Sequence, residues 1–490
     1  MAVSIWLIIL PMFTAFALGI VKFFSKKLVK PVLMISSTIH LFLVVRVTLR
    51  ALEEPIIYSL GSWDRFFAIN LVIDPLAAVL ILLITVISYL MIIYSLDFIK
   101  EDYPKYYLLL LLLIAGMIGM VAAGDLFNLY VFFEIVSLTS YVLVAFKKTD
   151  IAIEASFKYL ILGTISGFFV LLGIIFIYQA TGTLNLAQIA VRMPDVSLGF
   201  QIITLTTLIF GFGIKFALVP LHTWLPDAHP AAPAPISALL SGIVIKTSLY
   251  ALLRVIYVLF GLNFMMNTNL ISIMVIWGVF TFLLAHLMAY QQSNLKRLLA
   301  FSSIAQIGYI TMAIALATEK GIIAGSFHIV SHALMKGALF LAAGVFIYSF
   351  KAYTIDDIKG LGFSLPLTSF GFTLAALAII GLPPFNGFIS KWLIIEATLE
   401  AGYLGAAFSL IVGSLLSLAY YLKVIRSLYS NGDSLKLKKK PNWKLEFSVL
   451  VLGLSCLLFG LLPQLPLALL EEVPAFLLDS ADYINLLLGG

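Results

Sequence analysis

Apolar residues run along this chain in blocks of about twenty, separated by short polar or charged connections. A block of that length crosses the hydrocarbon of a bilayer as one helix. Fourteen spans can be drawn, at residues 3–21, 28–49, 70–95, 106–123, 125–145, 157–178, 201–222, 234–257, 270–290, 298–317, 322–348, 368–395, 403–426 and 446–463. No connection between them is long enough to fold as a soluble domain. The expected fold is all-α, a polytopic membrane protein of about 14 transmembrane helices. Residues 464–490 set Glu471, Glu472, Asp479 and Asp482 among leucines and read as a short interfacial tail.

Composition agrees with the pattern. The 490 residues are 62% hydrophobic and 11% charged, against roughly 45–50% and 25% in a soluble domain. Trp6 to Phe24 imitates a signal peptide, with Ala15-Phe16-Ala17 as its cleavage site, but its basic residues (Lys22, Lys26, Lys27, Lys30) follow the apolar run instead of preceding it. It is read as a retained first helix.

Lysine and arginine mark orientation. Of the 30 in the chain, five fall inside spans (Lys158, Lys215, Lys246, Lys336, Lys391). Alternate loops, from Lys22–Lys30 to Lys436–Lys444, carry 19, and the opposite loops carry six, namely Arg46, Arg50, Arg65, Arg192, Arg254 and Lys320. The asymmetry places the first set in the cytoplasm and both termini outside, in a multi-pass protein of the plasma membrane. The net charge of +6 thus reflects orientation, and nothing points to nucleic acid.

Two spans are interrupted. Span seven reads Phe210-Gly-Phe-Gly-Ile-Lys215-Phe-Ala-Leu-Val-Pro220-Leu-His222, and span twelve reads Ile380-Gly-Leu-Pro383-Pro384-Phe-Asn386-Gly-Phe-Ile-Ser-Lys391. Proline removes a backbone donor and frees the carbonyl four residues earlier, here at Phe216 and Ile380. Unwound backbone persists at membrane depth only inside protein or beside a watery cavity. Two broken helices five spans apart, each with a lysine beside the break, fit two inverted repeats with discontinuous helices 7 and 12. The halves share no visible residue-level similarity, so the repeat is read from layout alone. Three segments follow: 1–105 with helices one to three, a core at 106–426 with helices four to thirteen, and 427–490 with a basic loop, the last helix and the tail.

Ionisable residues stand where lipid solvent should exclude them: Glu134 in span five, Lys215 and Lys246 in spans seven and eight, His328, His332 and Lys336 in span eleven, and Lys391 in span twelve. Glu134 and the four lysines, left unpaired at mid-bilayer, would cost roughly 12–18 kcal/mol on insertion scales, more than a typical protein's whole stability margin. They must face the bundle interior. His328, His332 and Lys336 recur every four residues and form one stripe, and Tyr130, Glu134, Ser137 and Tyr141 likewise share a face of span five. Burial disfavours the charged forms of lysine and histidine, so such a file suits proton relay. A single intramembrane lysine also serves as a structural ion pair; the whole set beside two broken helices is harder to explain that way. Lys158, at the start of span six, either joins the file or snorkels to the surface. Asp74 and Asp125 read as helix caps, and His222 and His229 as loop residues flanking Trp224-Leu225-Pro226-Asp227.

No cofactor or metal is expected. Cys456 is the only cysteine, whereas iron–sulfur clusters take about four. His328 and His332 share one helix face and cannot ligate an iron from opposite sides.

At these residues the sequence resembles the antiporter-like subunits shared by respiratory complex I, Mrp-type Na+/H+ antiporters and membrane-bound hydrogenases. The motifs are Gly124-Asp-Leu-Phe-Asn-Leu-Tyr-Val-Phe-Phe-Glu134; Lys215 with Pro220-Leu-His-Thr-Trp-Leu-Pro-Asp-Ala-His229; Asn294-Leu-Lys-Arg-Leu-Leu-Ala-Phe-Ser-Ser-Ile-Ala-Gln-Ile-Gly308; Phe327-His-Ile-Val-Ser-His-Ala-Leu-Met-Lys336; and Gly381-Leu-Pro-Pro-Phe385. The resemblance covers roughly 70–425. It implies an ion pair between Glu134 and Lys215, Lys246 as inner relay, and the span-eleven histidines leading to Lys391 as exit. The M-type of complex I has a glutamate where this chain has Lys391, so the Mrp D-type is the nearer pattern. Partners implied are other membrane subunits of one complex, in the lipid bilayer, with protons as cargo and Na+ handled elsewhere in the complex. Two readings of another class, a redox subunit and an inert scaffold, are opposed by the missing cofactor ligands and by the intact buried file.

Overall fold

The computed structural model describes residues 3–431 and 437–489. Among them, thirteen continuous helices are long and apolar enough to cross a membrane. The fourteenth span is number twelve, split into Pro366–Ile380 and Asn386–Glu400. Span seven ends at its break as Leu198–Lys215 and resumes as the short helix Leu225–Ala231. Lys436, one of the lysines assigned to the cytoplasmic side, lies outside the described residues.

Most boundaries fall within a few residues of expectation, and the departures have local causes. Span six starts at Asp150 because Thr149 accepts the Ala152 amide and caps a polar first turn. Span eight runs on to Asn267, carried by two π segments, Leu240–Val244 and Val255–Phe260. A hairpin that the apolar pattern did not predict pairs Ile56–Ser59 with Asn70–Ile73, so span three begins only at Pro75, where Asp74 accepts the Ala77 amide at 2.8 Å. The tail forms three short helices, Gln464–Ala468, Val473–Leu478 and Ser480–Leu488, and buries Leu470, between the first two, with Val473, Tyr483 and Leu487.

Arg254 corrects the loop assignment. It is buried within span eight and bonds Asp74 at 2.5 Å, with the Tyr483 ring of the tail 5.0 Å from its guanidinium. Asp74 is thus both cap and counter-ion. Span ten, Leu295–Ala315, is enclosed on all sides, as is the most apolar stretch of span eight, while spans one, two and thirteen keep most of their surface outward.

A repeat does exist at residue level, in the frame that holds the helices. Asp125 caps span five and Asn294 caps span ten, 169 positions later. At the same displacement Thr149 and Thr318 cap spans six and eleven, and left-handed Gly182 and Lys351 end them. Leu126 donates to the Leu184 carbonyl and Leu295 to that of Tyr353, both at 2.9 Å; Leu186 donates to Gly124 and Ile355 to Ser293. Five spans separate each matched pair, an odd number, so one half enters the membrane where the other leaves it. The repeats are inverted.

Candidate functional site

Lys215 closes the first half of span seven and points into an aromatic cage. Its Nζ lies 4.8 Å from the ring centres of Tyr141 and Tyr159 and 5.4 Å from that of Phe133, and it donates to the Tyr141 hydroxyl at 3.3 Å. Cation–π contacts of this kind stabilise a partly desolvated ammonium. Trp224 fixes the cage: its ring stacks on Tyr159 at 3.9 Å and its indole donates to the Ile214 carbonyl at 2.7 Å, in the last turn before the break. Glu134 does not bond Lys215 directly, because among the described residues no ion pair within 4.0 Å joins them. They lie near enough to act on each other's charge, and Tyr141 stands on the same side. Glu134 and Tyr141 fit only because span six offers glycine opposite them: a Cβ at Gly167 would strike the carboxylate, and one at Gly163 the tyrosine hydroxyl.

Lys246 sits just past the first π segment. A π turn leaves carbonyls without their usual partners, and the Lys246 ammonium takes two, Ser241 at 2.6 Å and Gly242 at 2.7 Å. No hydrogen bond joins Lys215 to Lys246 among the described residues.

The span-eleven stripe is fully buried. Lys336 donates to the Leu299 carbonyl at 2.9 Å and to the Tyr421 hydroxyl at 3.3 Å. His332 has no partner for either ring nitrogen among the described residues, and its ring lies parallel to that of His328, 6.3 Å away. His328 bonds Gln306 at 2.9 Å and Ser390 at 2.8 Å. Ser390 adjoins Lys391, whose ammonium holds the carbonyls of Ile379 and Ile380 at 3.0 and 2.9 Å and the Ser414 hydroxyl at 3.2 Å. The carbonyl that Pro384 was expected to free is therefore capped by a lysine from the opposite half-helix.

Three interior groups carry no mark in the sequence pattern strong enough to place them. His286, in span nine, is fully buried and bridges the hydroxyls of Tyr309 (2.8 Å) and Tyr420 (3.0 Å). Tyr420 packs on Tyr421, and the Lys391 ammonium lies 5.4 Å from the Tyr309 ring centre, so a second file of contacts, ring packing at two of its steps, runs between Lys336 and Lys391. A lone histidine in an apolar span was the available signal. His229, expected in a loop, is fully buried against Phe340, with both nitrogens unpartnered among the described residues, and lies in electrostatic reach of Lys246, Lys296 and Lys336. Lys296 is buried at the start of span ten and donates to the Ala232 carbonyl at 2.8 Å. Lys158, by contrast, is half-exposed and pairs with Glu154 and Asp227 at the surface, and Asp125 is a cap, accepting the Asn128 amide at 2.8 Å. His222 is buried too, near the Phe301 ring.

The class so defined is a polytopic membrane protein of inverted repeats with a chain of buried bases, hydroxyls and one mid-span carboxylate. Residues 123–417 match the family described as "NADH:quinone oxidoreductase/Mrp antiporter, TM", and 64–107 match "NADH-Ubiquinone oxidoreductase (complex I), chain 5 N-terminus". The chain belongs to the NADH:quinone oxidoreductase/Mrp antiporter transmembrane family. The N-type subunit of the NADH-quinone oxidoreductase of Desulforudis audaxviator is 40% identical over 77% of this chain and 76% of its own length. The D-type subunit of the Na(+)/H(+) antiporter of Bacillus subtilis is 30% identical over 88% of each. A chain of the membrane-bound sulfane sulfur reductase, an archaeal respiratory membrane complex, superposes with a TM-score of 0.94 at 34% identity, over 99% of this chain and 100% of that one.

Proposed function

We propose that this chain carries protons across the membrane as one subunit of a multisubunit ion-transport complex, of the Mrp D-type or the corresponding subunit of a membrane-bound hydrogenase. The observation that carries the reading is the succession of half-buried Glu134 and buried Tyr141 and Lys215, then Lys246 with His229, then Lys336, His332, His328 and Lys391. The four lysines and His328 are held by hydroxyls, a side-chain amide or main-chain carbonyls that accept from an ammonium or imidazole, and carbonyls at the span-twelve break and the π segment supply several of them. Transfer from Lys215 to Lys246 calls for an intervening hydroxyl or water, because no direct bond spans that step.

The relay lies within the core segment, 106–426, flanked by helices one to three at 1–105 and by the loop, last helix and tail at 427–490. The plasma membrane is its site, and the excess of lysine and arginine on one side places both termini outside. Arg254 drops out of the outer count without changing that sign. The N-type relative at 40% identity supports a second reading, a place in a complex I-like oxidoreductase. The subunits that co-purify with the chain decide between the hosts.

The test is Lys215→Arg, with proton flux measured in vesicles beside the amount of assembled complex. Arginine keeps the positive charge in the cage but effectively never deprotonates, its pKa lying above about 12. Assembly should survive and flux should stop. Substantial flux from the assembled variant would show that Lys215 never gives up its proton, and the relay would have to bypass it.

A further inference from the structure

A separate cluster of bases lies where the ends of spans three, five and eleven meet the start of span ten. Lys147, Lys296, Lys351, Lys438 and Lys439 line a cavity of about 410 Å3, walled by Phe98, Tyr348 and other neutral residues. The main-chain amides of Lys438 and Lys439 both donate to the Ser349 carbonyl, which holds this part of the basic loop against span eleven. Lys439 lies 4.5 Å from the Tyr348 ring centre, and Lys100 comes within reach of it. Lys147 feels the charge of Lys351 and of Lys296. Yet among the described residues none of the five lining lysines has a carboxylate within 4.0 Å, although ion pairs occur elsewhere on the same chain.

A bias of lysines to one membrane face accounts for basic residues spread in loops. It does not account for five that converge on one cavity, one of them buried with its ammonium tied to backbone. Like charges brought together without a counter-ion repel, and an anion sharing the space would relieve that repulsion. We infer that this cavity binds a phosphate group, and specifically the headgroup of an anionic phospholipid. The volume, within the roughly 300–1,000 Å3 of small-molecule sites, exceeds what bare phosphate would fill. Its aromatic wall stands at helix ends, the depth at which headgroups and amphipathic rings meet. Basic pockets between helices on the cytoplasmic side suit such headgroups. The inference is independent of the proton-relay reading.

The experiment takes the intact purified complex into nanodiscs of phosphatidylglycerol or phosphatidylcholine and, after delipidation, counts retained lipid by native mass spectrometry. A third arm uses phosphatidylcholine with added inorganic phosphate, followed by phosphorus NMR. Wild type should retain phosphatidylglycerol selectively, and Lys438→Glu with Lys439→Glu should lower retention by roughly tenfold. Lys26→Glu with Lys27→Glu, on exposed residues away from the cavity, controls for general surface charge and should leave retention unchanged. Phosphate binding that the Lys438/Lys439 variant abolishes, without lipid selectivity, keeps the phosphate site and makes free phosphate its source. Equal retention of both lipids with no phosphate binding overturns the inference. So does an equal loss in the control variant, or an acidic segment of another subunit cross-linked to Lys439.

Discussion

Replacing His286 tests whether the span-nine branch conducts or merely holds tyrosines in place. Leucine at this position removes the bonds of 2.8 Å to Tyr309 and 3.0 Å to Tyr420. Both hydroxyls keep a serine within reach, Ser414 for Tyr309 and Ser302 for Tyr420. The loss therefore sits at the low end of the range for a buried group deprived of a partner, about 1 kcal/mol for each bond and roughly 2 kcal/mol in all. Glutamine spans the same gap, donates and accepts, and should cost less than about 1 kcal/mol, but it has no protonation equilibrium with which to pass a proton on. The two variants thus separate structure from relay. Thermal denaturation of the assembled complex should rank leucine below glutamine, with glutamine near wild type. Vesicle flux should fall in both, without stopping, because His332–His328–Ser390 remains as a parallel branch. Adding His328→Ala to His286→Gln should stop it. If that double variant conducts at the rate of His328→Ala alone, His286 is structural and the second branch does not exist.

Glu134→Ala should abolish ion transport while leaving the complex assembled; normal flux from assembled protein would remove the carboxylate from the mechanism. Gly167→Ala places a methyl group against the Glu134 carboxylate and should impair flux more than it impairs stability, an expectation checked by measuring both on one preparation. Asp74→Asn strands the buried Arg254 charge and should destabilise by about 3–5 kcal/mol, read as a lowered Tm; Asp74→Leu with Arg254→Met should recover most of it, and a double variant as unstable as the single would contradict the pairing.

The spans were legible because lipid demands long apolar runs and little else resembles them. Span-end residues were less so. Arg254 resembles any basic residue at a helix end, and only the fold brings Asp74, 180 positions earlier, to meet it. Asn70–Ile73 merges with the apolar run after it, so its strand pairing with Ile56–Ser59 left no mark. His229 and Lys296 lie among prolines and basic residues that signal a surface turn, whereas the structure folds both inward. Lys215 donates to Tyr141 and stands apart from Glu134, an arrangement that depends on side-chain reach across three helices, which spacing along one helix does not register.

The inverted repeat was legible in the layout of the spans but not residue by residue, for a related reason: what the halves share is the scaffold, and what they differ in is the interior. Caps and bridge hydrogen bonds recur at a displacement of 169 because any helix pair entering a membrane needs its end groups satisfied. At the same displacement Tyr159, Gly163 and Gly167 of span six stand where span eleven has His328, His332 and Lys336, and Glu134 stands where span ten has Ser303. The exchange is steric before it is electrostatic. In the first half the ionisable side chain comes from span five, and the facing helix yields with glycine. In the second half the side chains come from span eleven, and span ten yields with a serine that bonds Ser241 at 2.6 Å. One half consequently holds a carboxylate near Lys215, while the other holds lysines whose partners are carbonyls and hydroxyls. A proton on Lys215 has a resident negative charge within reach; one on Lys336 or Lys391 has only dipoles. The two halves of one scaffold therefore stabilise positive charge unequally, and in the proposed relay that inequality would give a proton passing between them a difference in free energy set by Glu134.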